Sequence, residues 1–90
     1  RKGGFMKQMM IMGLLLTDRV SEATRVQEIL TKYGCSIKTR LGMHEVSKDY
    51  CDKKGFVILE LVGDKKEWDA LEKDLCQVQG VQVKTMLFEY

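Results

Sequence analysis

The residues of this 90-residue chain that could do chemistry are concentrated in one segment, residues 43–54. His44 is the only histidine, and it is followed by residue types that can also bind divalent metals: Glu45, Asp49, Cys51 and Asp52. Their spacing matches no ligand motif, so we interpret the segment as an exposed loop and predict neither a metal site nor a cofactor. His44 near Cys51 is the one local pairing of a base with a thiol. We therefore predict that the chain has no catalytic residues, and the alternative is a small dimeric enzyme that uses His44 as an acid or base.

A second candidate is the turn Thr17-Asp18-Arg19, which precedes a predicted helix. The free backbone amides at a helix N-terminus can hold an anion or a carboxylate. Asp18 can instead cap the helix, and this interpretation is preferred because a capping carboxylate would compete with an anion. If a small ligand binds, we expect it near this turn and the corner at 42–44. The candidate ligand-binding residues are Thr17, Asp18, Arg19, Gly42 and His44.

Hydrophobic periodicity predicts the elements that position these residues. Met9 to Leu16 is a short apolar run, typical of a buried strand. A helical stripe follows, with Gly34 as its left-handed end: Val20, Ala23, Val26, Ile29, Leu30 and Tyr33. The remaining predicted elements are a strand at 35–42 in which Ile37, Thr39 and Leu41 share a face, the loop at 43–54, an apolar strand at 56–62, a helix from Asp64 ended by Gly80, and a strand at 81–90.

The order β-α-β-β-α-β predicts an α+β, ferredoxin-like sandwich. We expect a four-stranded antiparallel sheet in the order 4-1-3-2 with two helices on one face. Right-handed crossovers place the first and third strands side by side in the centre, and we expect this pair to be parallel. We predict one domain over residues 6–90, preceded at residues 1–5 by an extension that is either native or a remnant of expression.

The two central strands are more apolar than a sheet covered on one face requires. Met9, Ile11, Phe56 and Ile58 alternate with the core residues of their strands, so they point away from the helices. An exposed apolar patch of a few hundred Å² usually marks an interface. We therefore predict self-association through this face as a dimer or tetramer, most simply with two-fold symmetry. In the alternative, the loop at 43–54 and the N-terminal extension fold over it.

Charge and cysteine content exclude several classes of protein. Of the fifteen basic residues, Arg1 and Lys2 precede the predicted domain, which leaves thirteen against thirteen acidic residues. Without clustered bases or a helix-turn-helix pattern, direct nucleic-acid binding is not expected. The longest near-apolar stretch has eight residues, too few to span a membrane. Three cysteines without a C-x-x-C pair favour a reducing, cytoplasmic location.

Four stretches of the chain, taken in order, resemble a family of small bacterial proteins named iron-only hydrogenase system regulators. They are Gly13-Leu-Leu-Leu-Thr-Asp-Arg19, Ile29-Leu-Thr-Lys-Tyr-Gly34, Arg40-Leu-Gly-Met43 and Gly80-Val-Gln-Val-Lys-Thr85. The resemblance implies an ACT-like, ferredoxin-like domain, similar also to the C-terminal domain of the nickel-responsive repressor. Such domains sense small ligands or metals at oligomer interfaces.

The resemblance thus implies a non-enzymatic, oligomeric regulatory or ligand-sensing module, linked to iron-only hydrogenase or to anaerobic metal metabolism, with a small molecule as its effector. Two features differ from the related domains. The repressor's nickel site needs several histidines and a cysteine, whereas this chain has His44 alone. Amino-acid-binding ACT domains usually carry proline and glycine in the turn after the first strand, where this chain has Thr17-Asp18-Arg19-Val20. No particular ligand is therefore implied.

Overall fold

The computed structural model describes residues 7–43 and 54–90. Along the chain it contains β1 (Gln8–Leu16), α1 (Arg19–Lys32), a 3₁₀ turn (Gly34–Ser36), β2 (Ile37–Met43), β3 (Gly55–Leu61), α2 (Lys65–Cys76) and β4 (Val81–Glu89). The strands form one sheet in the order β2-β3-β1-β4, with every adjacent pair antiparallel. This confirms the predicted ferredoxin-like topology and strand order, read from the other edge. The predicted extension at 1–5 and all but the ends of the loop at 43–54 lie outside the described residues.

The core lies between the sheet and the two helices. Strand alternation sends every second residue of β1 inward, and one stripe of each helix meets them. The buried apolar side chains are Met10, Met12, Leu14, Leu16, Val26, Ile29, Leu30, Tyr33, Leu59, Leu61, Trp68, Leu71 and Leu75. Trp68 also donates its indole N–H to the carbonyl of Val62 at 2.9 Å, so its polar atom is satisfied. Neither helix in the described ranges is long and apolar enough to cross a membrane.

The expectation that the central strands run parallel is wrong. β1 and β3 are antiparallel, with Met12 opposite Leu59 and Leu14 opposite Val57. β3 is also antiparallel to β2. The crossover through α1 therefore makes β1 and β2 point the same way, and β3 fits between them in the opposite direction.

Helix α1 also differs from its predicted pattern at both ends. Val20, the first residue of the predicted stripe, is 76% exposed, and Glu22 is buried in its place. Gly34 does not take a left-handed conformation, since the described glycines with positive φ are Gly63 and Gly80. Instead, the amide of Tyr33 donates to the carbonyl of Ile29 and the chain continues into the 3₁₀ turn.

The sequence predicts the end of α2 at Gly80, but the helix ends at Cys76. The amide of Gln77 closes the last turn by donating to the carbonyl of Asp74 at 3.2 Å. Gly80, with φ of +88°, instead reverses the chain into β4. A left-handed glycine therefore marks this turn, but four residues beyond the helix.

β2 does not alternate as predicted, because its register shifts between Ile37 and Thr39. Ile37 lies opposite Leu61 and packs against the core, whereas Thr39 lies opposite Glu60 on the other face. An extra residue in one strand reverses the faces of everything that follows it. The expectation that Ile37 shares a face with Thr39 and Leu41 is therefore wrong.

Candidate functional site

Two of the predicted ligand-binding residues, Thr17 and Asp18, belong to a hydrogen-bonded cluster at the start of α1. The carboxylate of Asp18 accepts from the amide of Val20 at 3.2 Å, and the amide of Asp18 donates to Glu22 at 3.2 Å. The hydroxyl of Thr17 lies 2.9 Å from the carbonyl oxygen of Gly80 and 3.2 Å from Oε2 of Glu22. These bonds fasten the helix to the turn before β4, so both residues have structural partners.

Two other predicted residues, Arg19 and Gly42, meet in an open pocket of about 170 Å³ between α1 and the neighbouring ends of β2 and β3. The remaining lining residues are Leu16, Ala23, Val26, Gln27, Arg40, Gly55, Phe56 and Val57. The side chain of Arg19 crosses Gly55, where a Cβ atom would lie 3.0 Å from the Cβ of Arg19. The absence of a side chain at Gly55 therefore lets Arg19 lie close to the sheet. We call this site the arginine pocket.

The arginine pocket has a largely apolar wall, and two arginines are among its lining residues. A guanidinium group can donate two parallel hydrogen bonds to a carboxylate or a phosphate. Arg19 and Arg40 come from different elements, so a ligand between them would touch both the helix and the sheet. Pockets for drug-sized ligands usually exceed about 300 Å³, so this one suits a small anion or one anionic group of a larger molecule.

The lining residues Arg40 and Gln27 are not among the site residues predicted from the sequence. Gln27 could have been found, because Arg19, Ala23 and Gln27 repeat at intervals of four along one side of α1. Arg40 depends on the register shift in β2, for which the sequence gives no sign. His44 lies outside the described residues, and its part in a ligand site stays a prediction.

The sheet face opposite the helices, which we call the open face, is largely apolar. Met9, Ile11, Phe56 and Ile58, the predicted interface residues, all belong to it by register. Leu15, Leu41, Met86 and Phe88 extend it, and Met86 is 57% exposed. At its centre Gly13 leaves a hollow of about 280 Å³, lined by Ile11, Gly13, Phe56, Ile58, Lys84, Thr85 and Met86.

A third polar group joins the ends of the two helices, away from the arginine pocket. The hydroxyl of Tyr33 donates to Asp74 at 2.8 Å, and Nζ of Lys32 donates to the same oxygen at 3.2 Å. These bonds, from Tyr33 first and then from Lys32, hold the pKa of Asp74 below its usual value. The same carboxylate raises the pKa of Tyr33 and that of Lys32. This cluster has a structural role in connecting α1 to α2.

No group of three or more His, Cys, Asp or Glu side chains that could hold a metal ion occurs in residues 7–43 and 54–90. Cys35 and Cys76 lie in this part of the chain and are exposed free thiols. Residues 44–53 lie outside this part of the chain, so the prediction that 43–54 is a loop without a metal site stays a prediction.

No protein-family model matches the sequence, and no curated protein matches it significantly. Among solved structures, the chain is similar to TM1266, an uncharacterized protein from Thermotoga maritima, with 26% identity over 93% of this chain and 99% of that chain and a TM-score of 0.77. It is also similar to CPII, a nitrogen regulatory PII-like protein from Thiomonas intermedia K12 solved with ADP, AMP and bicarbonate, with 8% identity over 96% of both chains and a TM-score of 0.65.

A third similar structure is a formyltetrahydrofolate deformylase from Pseudomonas putida KT2440, with 10% identity over 87% of this chain but only 28% of that chain, and a TM-score of 0.53. At such low identity the deformylase and CPII show a shared fold alone. The chain is therefore a ferredoxin-like βαββαβ domain. The same architecture occurs in a regulatory protein and within a larger enzyme.

Proposed function

We propose that the protein is a non-enzymatic, oligomeric regulatory module that senses a small anionic ligand. The observation that carries this proposal is the arginine pocket, in which Arg19 and Arg40 from two different elements line one concave site. The described lining residues include no acid, base, hydroxyl or thiol that could act as a nucleophile or transfer a proton at neutral pH. Such a site suits binding better than catalysis.

The chemistry of the pocket points to a carboxylate, bicarbonate or a phosphate group as the part of the ligand that it recognises. CPII shares the fold and was solved with ADP, AMP and bicarbonate, which supports small anions and adenine nucleotides as the first probes. A whole nucleotide would exceed about 170 Å³, so the pocket would hold only its anionic part.

Self-association through the open face is the second part of the proposal. Phe56 is a lining residue of both the arginine pocket and the hollow at Gly13, so the two sites lie on opposite sides of the same segment of β3. The process that the module would regulate is linked to iron-only hydrogenase or to anaerobic metal metabolism. The family resemblance alone supports this part of the proposal.

The ligand test compares the thermal unfolding of the wild type with that of Arg40→Ala in the presence of bicarbonate, phosphate, AMP or ADP. We expect at least one of these anions to raise the melting temperature of the wild type, and we expect this rise to disappear in Arg40→Ala. The matched control is Arg25→Ala, which removes an exposed arginine of α1 whose partner is Glu28. The control should keep the full response, because such an exposed pair contributes little to stability.

Two results would count against the ligand proposal. One is the absence of any shift with all four anions in the wild type. The other is an equal response in Arg40→Ala and Arg25→Ala, which would show that binding occurs elsewhere. The self-association part is tested separately by sedimentation equilibrium, and a monomer at micromolar concentration would contradict it.

A further inference from the structure

We propose that the partner on the open face is a second copy of this chain, stacked face to face about a two-fold axis that runs along β1. In this arrangement Glu60 of each copy pairs with Lys84 of the other. The inference rests on the proposed function, because it requires the protein to self-associate, and it adds the geometry of that association.

The charges of the open face select this geometry. The charged strand residues whose side chains are described at this face are Lys38, Glu60 and Lys84, and Lys38 already pairs with Glu60 within the chain. Glu60 and Lys84 lie on β3 and β4, on opposite sides of β1. Glu60 is opposite Ile11 and Lys84 is opposite Gly13. A two-fold rotation about β1 places β4 of one copy over β3 of the other, so both Glu–Lys pairs form together. An axis perpendicular to the strands would instead place each strand over its own counterpart and would separate the unlike charges.

The distances allow this pairing. Stacked sheets lie about 10 Å apart, and Glu60 and Lys84 are offset by two residues, or about 6.8 Å, along the strands. These two distances are perpendicular, so the Cα atoms of Glu60 and Lys84 would be about 12 Å apart. Extended lysine and glutamate side chains, joined by a hydrogen bond, cover that distance. Glu60 is partly exposed and also accepts from Thr39 at 2.9 Å, with Nζ of Lys38 at 3.9 Å. These contacts hold its carboxylate on the open face, where the second copy can reach it.

The size and shape of the open face fit a second copy. Four strands about 4.8 Å apart and about seven residues long make a flat face of about 450 Å² per copy, without the additional surface of the side chains. Two such faces approach the area of about 1,000 Å² that a specific interface needs. The hollow at Gly13 would lie on the two-fold axis, where the flexible side chain of Met86 can fill it from the facing copy.

The test is charge reversal on each side of the pair. Glu60→Lys and Lys84→Glu each place like charges together at two symmetric contacts, so each variant alone should have a dissociation constant raised about tenfold or more. When the two variants are mixed, a pair made of one copy of each regains unlike charges at both contacts. We expect this mixed pair to recover the wild-type dissociation constant, measured by sedimentation equilibrium with one variant labelled.

Two controls keep the result specific. Lys66→Glu reverses an exposed charge on α2, away from the open face, and should leave self-association unchanged. If Glu60→Lys does not fold, adding Glu60→Gln to Lys84→Glu removes the repulsion and should restore at least part of the association that Lys84→Glu loses. Glutamine still accepts a hydrogen bond from Thr39, so this variant preserves that contact within the chain.

The outcomes separate this inference from the proposed function. A monomeric wild type would contradict both the self-association and the stacking. A wild-type oligomer that is insensitive to charge reversal, or a mixture no tighter than its components, would overturn the stacking geometry and leave self-association intact. Loss of association in both single variants with recovery in the mixture would support it, because restoring contacts within one chain cannot produce that recovery.

Discussion

The turn before β4 provides a sharp test of the cluster that holds Thr17 and Asp18. Gly80 has φ of +88°, a conformation that side chains with a Cβ atom rarely adopt. A Cβ atom at this position would lie 2.9 Å from the carboxyl carbon of Glu22 and 2.9 Å from the hydroxyl of Thr17. In Gly80→Ala the carboxylate of Glu22 must therefore move, and its bond with the amide of Asp18 is lost or weakened.

The expected cost has two parts. An alanine in a left-handed conformation costs about 1–2 kcal/mol. Displacing Glu22 removes the hydrogen bond from the Asp18 amide, worth about 1 kcal/mol, whereas the single hydroxyl proton of Thr17 can still be donated to the carbonyl of Gly80. Gly80→Ala should therefore lower the free energy of unfolding by about 2–3 kcal/mol, a large share of the 5–15 kcal/mol typical of a domain.

Gly63→Ala is the matched control. Gly63 has φ of +92°, but among residues 7–43 and 54–90 no atom beyond its own chain neighbours lies within 4 Å of the Cβ position. This variant should show the conformational cost alone, about 1–2 kcal/mol. Urea unfolding followed by the fluorescence of Trp68, the only tryptophan, measures both.

Equal losses of stability in Gly80→Ala and Gly63→Ala would refute the packing of Glu22 against Gly80. A double variant provides a further check on the same contact. Glu22→Ala should lower the free energy of unfolding by at least 1 kcal/mol less in the Gly80→Ala background than in the wild type, because Gly80→Ala has already broken the hydrogen bond of the Glu22 carboxylate. Additive losses would show that the two residues do not interact.

Two further predictions concern the helices. Trp68→Phe should lower the free energy of unfolding by about 2–3 kcal/mol, because it empties space in the core and leaves the carbonyl of Val62 without its indole donor; circular dichroism during urea unfolding measures this, and a loss below 1 kcal/mol would contradict it. Hydrogen bonds from Tyr33 and Lys32 lower the pKa of Asp74 in the folded protein. The ionised Asp74 therefore stabilises the fold above the pKa of the unfolded chain, and this contribution is lost as the pH falls through the lower pKa of the folded state. Asp74→Asn should therefore lose less stability than the wild type when the pH falls below about 4, and equal losses in urea midpoints between pH 5 and pH 2 would show that Asp74 does not contribute.

The two faces of the central strands could be predicted because strand alternation is a strictly local signal, and the strand order could be predicted from the order of the elements along the chain. A period of two in β1 separates Met10 and Met12 from Met9 and Ile11 without any knowledge of the rest of the chain. The direction of the central pair could not be predicted by the same route. It depends on β3 fitting between β1 and β2, which is a property of the whole sheet.

The arginine pocket shows the limit of local patterns more clearly. Arg19 follows from its place at the start of α1, and Gly42 from its place near the end of β2. Arg40 joins them because one extra residue between Ile37 and Thr39 reverses the faces of the strand. Glu22 is buried because Gly80, far away in sequence, leaves space beside it. Both features depend on partners distant in sequence, so no periodicity in the neighbouring residues indicates them.

Phe56 lies between the arginine pocket and the open face. It is a lining residue of both the pocket and the hollow at Gly13, and its ring lies 3.7 Å from the position of a Cβ atom at Gly13, on the open face. If the proposed ligand and the proposed second copy both bind, this segment of β3 is where a coupling between them would pass. Thermodynamic linkage then requires the ligand and the second copy to change each other's affinity by the same factor. The proposed regulatory function depends on such a coupling.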